Sequence, residues 1–159
     1  LKEIKEALEA GRSALAYLDI ASERMNSASN YGVWDMVGGG LLVDLAKHSK
    51  IDEAKEAVDA AQKRLLKFRT ELADVDISRD IRFETEGFSK FADFFFDGLI
   101  ADWSMQSKIK NSLSSINTAA LRVQDVLRRL ESVQGETVSR ITAANAEIER
   151  LILESKISE

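Results

Sequence analysis

Apolar residues recur along most of this chain at positions that are alternately three and four apart, a repeat typical of helices packed side by side. The first stretch with this repeat contains Ile4, Leu8, Gly11, Leu15, Leu18, Ser22 and Met25. The second contains Ile51, Ala54, Val58, Ala61, Leu65, Phe68, Leu72 and Val75. The third contains Ile109, Leu113, Ile116, Ala120, Val123, Leu127 and Leu130, and the fourth Val138, Ile141, Asn145, Ile148 and Ile152. Each set predicts one helix with a narrow apolar stripe.

Turn-forming residues separate these stretches and predict where the helices end. Ser29 to Gly32 are predicted to end the first helix, and Gly38 to Gly40 follow as a loop, because each glycine costs up to about 1 kcal/mol inside a helix. Residues 75–88 lose the helical period and are predicted to form a non-helical linker with a short extended piece. Gly135 is predicted to bend the chain; because it is a single glycine, one continuous helix is the alternative.

The predicted fold is all-α and elongated, in a single domain of residues 1–159. The four helices are expected at about 1–29, 41–74, 89–134 and 136–156, and the third alone would be nearly 70 Å long at 1.5 Å per residue. The chain contains no proline, which agrees with long uninterrupted helices. We expect two long antiparallel αα-hairpins or an antiparallel four-helix bundle with coiled-coil-like packing.

Composition narrows the classes of function. The chain has no cysteine, which excludes disulfides and thiolate metal sites and favours a reducing compartment. Its net charge is −5, and its acidic and basic residues are interspersed. Because no basic face stands out, a nucleic-acid partner is not expected. Apolar runs fall far short of the roughly 18 residues of a membrane span. We therefore predict a cytoplasmic protein with neither a nucleic-acid nor a membrane partner.

A short motif occurs twice and suggests an internal duplication with two related halves. Gly40, Leu41, Asp44, Ser49, Lys50 and Ile51 recur at one constant offset as Gly98, Leu99, Asp102, Ser107, Lys108 and Ile109. We interpret the motif as structural. Gly40 and Gly98 permit close packing or a tight helix entry, and Asp44 and Asp102 bond to backbone N–H groups or to nearby lysine and tryptophan side chains. Trp34 and Trp103 belong to the same structural motif.

The alternative interpretation is a metal or small-ligand site in a helical bundle, formed where the two copies meet. Asp44 and His48 are one helical turn apart and share a face, and Asp102 could converge on them. However, the Glu-x-x-His signature of di-iron bundles is absent, and Gln106 replaces the histidine in the second copy. His48, the only histidine, lies between two lysines, which favours a solvated side chain. No metal, cofactor or catalytic residue is therefore predicted.

Aromatic residues are concentrated in one region of the chain. They are Phe88, Phe91, Phe94, Phe95, Phe96 and Trp103. Because each aromatic side chain can bury 150–250 Å², the cluster is predicted to form a local hydrophobic core. The alternative is an exposed surface for a partner or a membrane interface, and the lack of a lysine-rich face argues against an anionic membrane.

The run from Trp34 to Ala54, with its Gly-Gly-Gly-Leu and Lys-His-Ser-Lys-Ile-Asp-Glu-Ala segments, resembles a group of bacterial helical proteins, mostly from Gram-positive species. The segments Phe91 to Leu99 and Asp102-Trp103 extend the resemblance, which covers roughly residues 31–133. It implies a bacterial helical protein and brings no reaction, ligand or partner. We therefore expect a non-enzymatic scaffold or self-associating coiled-coil module, for instance a homodimer, with protein as its partner.

Overall fold

The computed structural model describes residues 1–34, 41–79, 88 and 106–157, with side-chain surroundings defined for 1–29, 49–75, 88 and 112–157. Over these residues the protein consists of three long helices, α1 (Lys2–Trp34), α2 (Leu41–Arg79) and α3 (Gln106–Ile157), with no strand. The prediction of an all-α chain is confirmed for this part. None of the three helices carries an apolar stretch that could cross a membrane.

Helix α1 is the central element, because it packs against both α2 and α3. Polar contacts at its two sides fix the directions of the neighbours. On the α2 side, Arg24 pairs with Glu53 at 3.0 Å and Tyr17 accepts a hydrogen bond from Arg64 at 3.4 Å. On the α3 side, Arg12 pairs with Glu131 at 2.8 Å, and the Ser22 hydroxyl donates to Asn117 at 3.3 Å. Residue numbers rise on α1 as they fall on both partners, so α2 and α3 each run antiparallel to α1.

The buried face of α1 differs from the stripe predicted for it. Two interleaved seven-residue series are buried, Ile4, Gly11, Leu18 and Met25 in one and Ala7, Ala14, Ala21 and Ala28 in the other. The predicted stripe members Leu15 and Ser22 lie at the margin of this face and are only partly buried. The reason is that α1 has a helix on each side, and the alanine series lets both approach closely.

The stripe predicted for α2 is confirmed. The stripe predicted for the first half of α3 is confirmed in part, because Leu113 and Ala120 are only partly buried and Ile109 has no described side-chain surroundings. Ala54, Val58, Ala61, Leu65, Phe68, Leu72 and Val75 are buried, and Ile51 packs against them. On α3 the buried set is Ile116, Ala119, Val123, Leu127 and Leu130. Phe68 and Leu127 meet over the backbone of Gly11, and Phe68 also contacts the ring of Phe88 edge-on, with centroids 5.3 Å apart. Large residues on the outer helices thus fill the space that small residues on α1 leave open.

Three predicted helix boundaries are wrong. α1 continues through Ser29 and Gly32 to Trp34, and α2 continues past Val75 to Arg79. Phe88, the last residue of the predicted linker, is helical. Turn-forming residues are only a weak signal, because burial of an apolar face can stabilise a helix that local propensity opposes. The extended piece predicted from the alternation of Val75/Ile77 and Ile81/Phe83 is wrong at residues 75–77, which are helical, and its remainder at 81–83 lies outside the described residues.

The predicted bend at Gly135 is also absent, and the alternative of one continuous helix is correct. α3 runs through Gly135 for 52 residues, about 78 Å at 1.5 Å per residue. Across the glycine, the Thr137 hydroxyl donates to the Val133 carbonyl at 2.7 Å, the contact of one intact helical turn. The fourth predicted helix is therefore the C-terminal part of α3. The described helices form a three-helix assembly, and a four-helix bundle is not confirmed.

Candidate functional site

Most residues of the duplicated motif and of the aromatic region lie outside the described part of the chain or have no described side-chain surroundings. Gly40, Gly98, Asp102 and Trp103 belong to that group, and so do the predicted aromatic residues Phe91, Phe94, Phe95 and Phe96. Trp34 is the last residue of α1, and Asp44 and His48 lie in the first turns of α2, without defined side-chain surroundings. The structure therefore does not bring the two copies together or separate them, and both interpretations of the motif stay predictions.

Acidic residues and histidine form no metal-binding group within the described ranges. Of the aromatic residues predicted to form a local core, only Phe88 lies among the described residues. It is buried against Phe68, as expected for a core residue. This contact agrees with the local-core interpretation at one position and leaves the other aromatic residues untested.

A shallow groove between α1 and α2 is lined mostly by charged side chains. Its lining residues are Glu6, Glu9, Ala10, Ser13, Arg64, Lys67 and Glu71. Arg64 is occupied there, since its guanidinium stacks over the Tyr17 ring at 4.7 Å and donates to the Tyr17 hydroxyl. The three acidic and two basic groups of the lining nearly balance, so the groove offers no strong concentration of one charge to attract an ionic ligand.

The structure's most distinctive surface is the C-terminal part of α3. α1 and α3 run antiparallel and rise by the same distance per residue. The Arg12–Glu131 and Ser22–Asn117 contacts therefore place Leu1 at about the level of Ile141. The same reasoning on the other side puts Leu1 near the end of α2 at Arg79. Residues 141–157, here called the projecting segment, therefore extend about 25 Å beyond the described ends of both neighbours.

Large aliphatic residues on the projecting segment continue the buried stripe of α3. Leu127 and Val138, like Leu130 and Ile141, are eleven residues apart, which is slightly more than three full turns, so each pair lies on nearly one face. The continuation, here called the uncovered stripe, consists of Val138, Ile141, Ile148 and Ile152, which are 47%, 43%, 54% and 48% exposed. Every residue from 139 to 157 is exposed. One face of α3 is thus covered by α1 over its first half and bare over its second half.

Two polar residues, Asn145 and Ser155, lie in line with the aliphatic residues of the uncovered stripe. Asn145 lies between Ile141 and Ile148, and Ser155 lies one turn beyond Ile152. Both are exposed; the Ser155 hydroxyl donates to the carbonyl of Ile152 at 2.9 Å. A stripe with isolated polar positions is typical of helices that associate in a defined register.

Ion pairs on another face of the projecting segment stabilise it as a helix. Arg150 donates to Glu147 at 2.6 Å and to Glu154 at 3.2 Å, one turn on either side. The hydrogen bond that Arg150 donates to Glu147 raises the pKa of Arg150 above its ordinary value, so the cation is permanent. Because these pairs are exposed to solvent, they contribute little to stability and do not replace tertiary packing.

The sequence pattern had located the aliphatic residues of this surface but had assigned them to a fourth helix packed within the bundle. That assignment is wrong, since these residues are exposed on α3. The useful signal was the single glycine at 135, which alone does not interrupt a helix. Comparisons of the chain with protein-family models, with curated proteins and with solved structures find no match.

Proposed function

We propose that this protein is a non-enzymatic helical interaction module whose working surface is the uncovered stripe on α3. The observation that carries the proposal is the continuity of this stripe with the buried face of the same helix. The part beside α1 is buried, with Leu130 fully so, whereas Ile148 keeps 54% of its surface in water. Exposed apolar patches of this kind mark protein interaction sites.

Helix energetics support a partner for the projecting segment. Most helix stability in proteins comes from packing of an apolar face, and the apolar face of the projecting segment is exposed. Isoleucine is β-branched and lowers helix propensity slightly. Burying the remaining exposed surface of the four aliphatic residues would contribute about 1 kcal/mol per residue. Burial of these side chains against a partner would therefore stabilise both the helical segment and the complex.

The shape of the surface favours a helical partner. Its aliphatic residues follow the three-and-four spacing of a coiled-coil seam, and such a seam is filled by the side chains of a second helix. α1 already fills the same seam further along α3, which shows that this face can accept a neighbouring helix.

The assembly state in a native lysate tests this function. Wild-type protein is expected to elute above its monomer mass of 17.7 kDa. Ile148→Asp with Ile152→Asp is expected to elute as the monomer, because each substitution would bury a carboxylate in an apolar seam. The matched control is Leu153→Asp, a 61% exposed residue of the same segment that points away from the stripe. Monomeric wild type, or a control that dissociates equally, would contradict the proposal.

Thermal unfolding with and without Mn²⁺, Zn²⁺ and EDTA distinguishes the proposed function from the ligand-binding interpretation of Asp44, His48 and Asp102. A purely structural motif leaves the melting temperature unchanged, because only a ligand that binds the folded state shifts it. A metal-dependent rise that disappears in Asp44→Ala would replace the proposed function with a metal-binding one.

A further inference from the structure

We infer that the occupant of the uncovered stripe is a second copy of this chain, whose α3 lies antiparallel to the first over residues 145–155. The inference rests on the proposed function and names the partner. It follows from three properties of α3: the direction of the helix that already lies on this face, the order of apolar and polar positions along the stripe, and the side chains at its edges.

The direction follows from the interface between α1 and α3. α1 covers the buried stripe of α3 as far as Leu130. It runs antiparallel to α3, as the Arg12–Glu131 and Ser22–Asn117 contacts show. A second α3 that takes the same line beyond Leu1 would continue this packing. A parallel second copy would bring its own α1 to the same level of the same face, where the first α1 already lies.

The register follows from matching the layers. When Ile148 faces Ile152 of a second copy, the twofold axis passes near Arg150 and Ile152 faces Ile148 in turn. Asn145 then faces Ser155 at both ends of the contact. An amide and a hydroxyl can each donate and accept a hydrogen bond, so the polar positions satisfy one another. Residues 145–155 are therefore complementary to themselves in this antiparallel register, as a twofold interface requires.

The side chains along one edge of the uncovered stripe fit the antiparallel arrangement. Leu151, which is 52% exposed, lies beside the stripe and would come next to Leu151 of the second copy at the axis. Arg150 points outward at that level and keeps its ion pairs with Glu147 and Glu154. The dimer would thus cover an additional exposed leucine without breaking these pairs.

Cysteine cross-linking tests the orientation cleanly, because the chain has no cysteine of its own. The single variants Ile148→Cys and Ile152→Cys are purified, and each is oxidised alone and in an equal mixture; Leu153→Cys serves as the control for random collisions. The antiparallel dimer predicts a disulfide in the mixture that joins the two variants, and at least about tenfold less product in either variant alone. Cross-linking of each variant with itself would indicate a parallel dimer and overturn the inference.

Sedimentation equilibrium of the purified protein separates failure of this inference from failure of the proposed function. A monomer–dimer equilibrium is expected for wild type, and Ile148→Asp is expected to raise the dimer dissociation constant at least about 100-fold, with Leu153→Asp unchanged. A purified protein that stays monomeric overturns the second copy as occupant. If the lysate assembly still depended on Ile148 and Ile152 in that case, the interaction surface would stand with a different protein as its partner.

Discussion

Gly11 is a point of close approach between the three helices, and replacing it with alanine tests the packing directly. A Cβ at this position would lie 2.7 Å from Leu127 Cδ2, 2.7 Å from Phe68 Cε2 and 2.9 Å from Phe68 Cζ. Ordinary separations between carbon atoms are about 3.5–4.0 Å. Both neighbouring side chains would therefore have to move by about 1 Å to admit one methyl group.

The two neighbours differ in their freedom to move. Leu127 is 7% exposed and can tilt toward solvent, whereas Phe68 is fully buried and its ring is held edge-on against Phe88. Overpacking of a filled core costs about 1–3 kcal/mol. Alanine gains about 1 kcal/mol over glycine in helix propensity. We expect a net loss of about 1 kcal/mol in the free energy of unfolding for Gly11→Ala.

Gly135 provides the matched control within the same fold. It lies in a helix, is exposed, and has no atom within 4 Å of the position where a Cβ would be. Gly135→Ala should therefore gain the propensity alone, about 1 kcal/mol. The two glycine-to-alanine changes are expected to differ by about 2 kcal/mol, or about 4–8 °C in melting temperature.

Urea unfolding followed by far-ultraviolet circular dichroism measures both changes, at one low protein concentration so that association does not contribute. A double-mutant cycle with Phe68→Leu should show positive coupling, because the smaller side chain makes room for the methyl group. If Gly11→Ala and Gly135→Ala stabilised the protein equally, the close approach of the three helices at Gly11 would be refuted.

Two further predictions concern the core and the pH dependence of stability. Phe68→Ala should lower the free energy of unfolding by about 3–5 kcal/mol in urea titrations, because its ring is fully buried, whereas Leu121→Ala, at a 66% exposed position, should change little. The hydrogen bond from Lys50 lowers the pKa of Glu53 below 4.5, so this carboxylate stabilises the fold above that pH and ceases to do so as the pH falls through its folded pKa. Glu53→Gln should therefore lose less stability than wild type on acidification, while the exposed Glu56→Gln should follow wild type; an identical acid profile for Glu53→Gln and wild type would contradict the role of the Lys50 contact.

The seam of α2 was predictable from sequence because it is built from large apolar residues at regular positions, and every described member packs in the core. The inner face of α1 was harder to predict. Its alanines at 7, 14, 21 and 28 carry little hydrophobic signal, and a pattern led by leucine selects Leu15 and Ser22 instead. Small residues become informative only once two neighbours are known to share one helix.

The candidate surface shows a different limit of sequence reasoning. The periodicity of Val138, Ile141, Ile148 and Ile152 predicts a helix with an apolar face, but it cannot distinguish burial within the chain from burial against another molecule. Gly135 suggested a bend that would have folded this face back onto the bundle. Both interpretations of the duplicated motif stay predictions, because Gly40, Gly98 and Asp102 lie beyond the described residues and the side-chain surroundings of Asp44 are not described.

Hydrogen–deuterium exchange of backbone amides in residues 142–157, measured at high and low protein concentration, tests the working surface most directly. We expect slow exchange at high concentration and fast exchange on dilution, because none of the described helices covers the projecting segment and association should stabilise it. Ile148→Asp should exchange fast at both concentrations. Slow exchange that neither dilution nor Ile148→Asp alters would show that the segment is stable without a partner and that the uncovered stripe is not an interface.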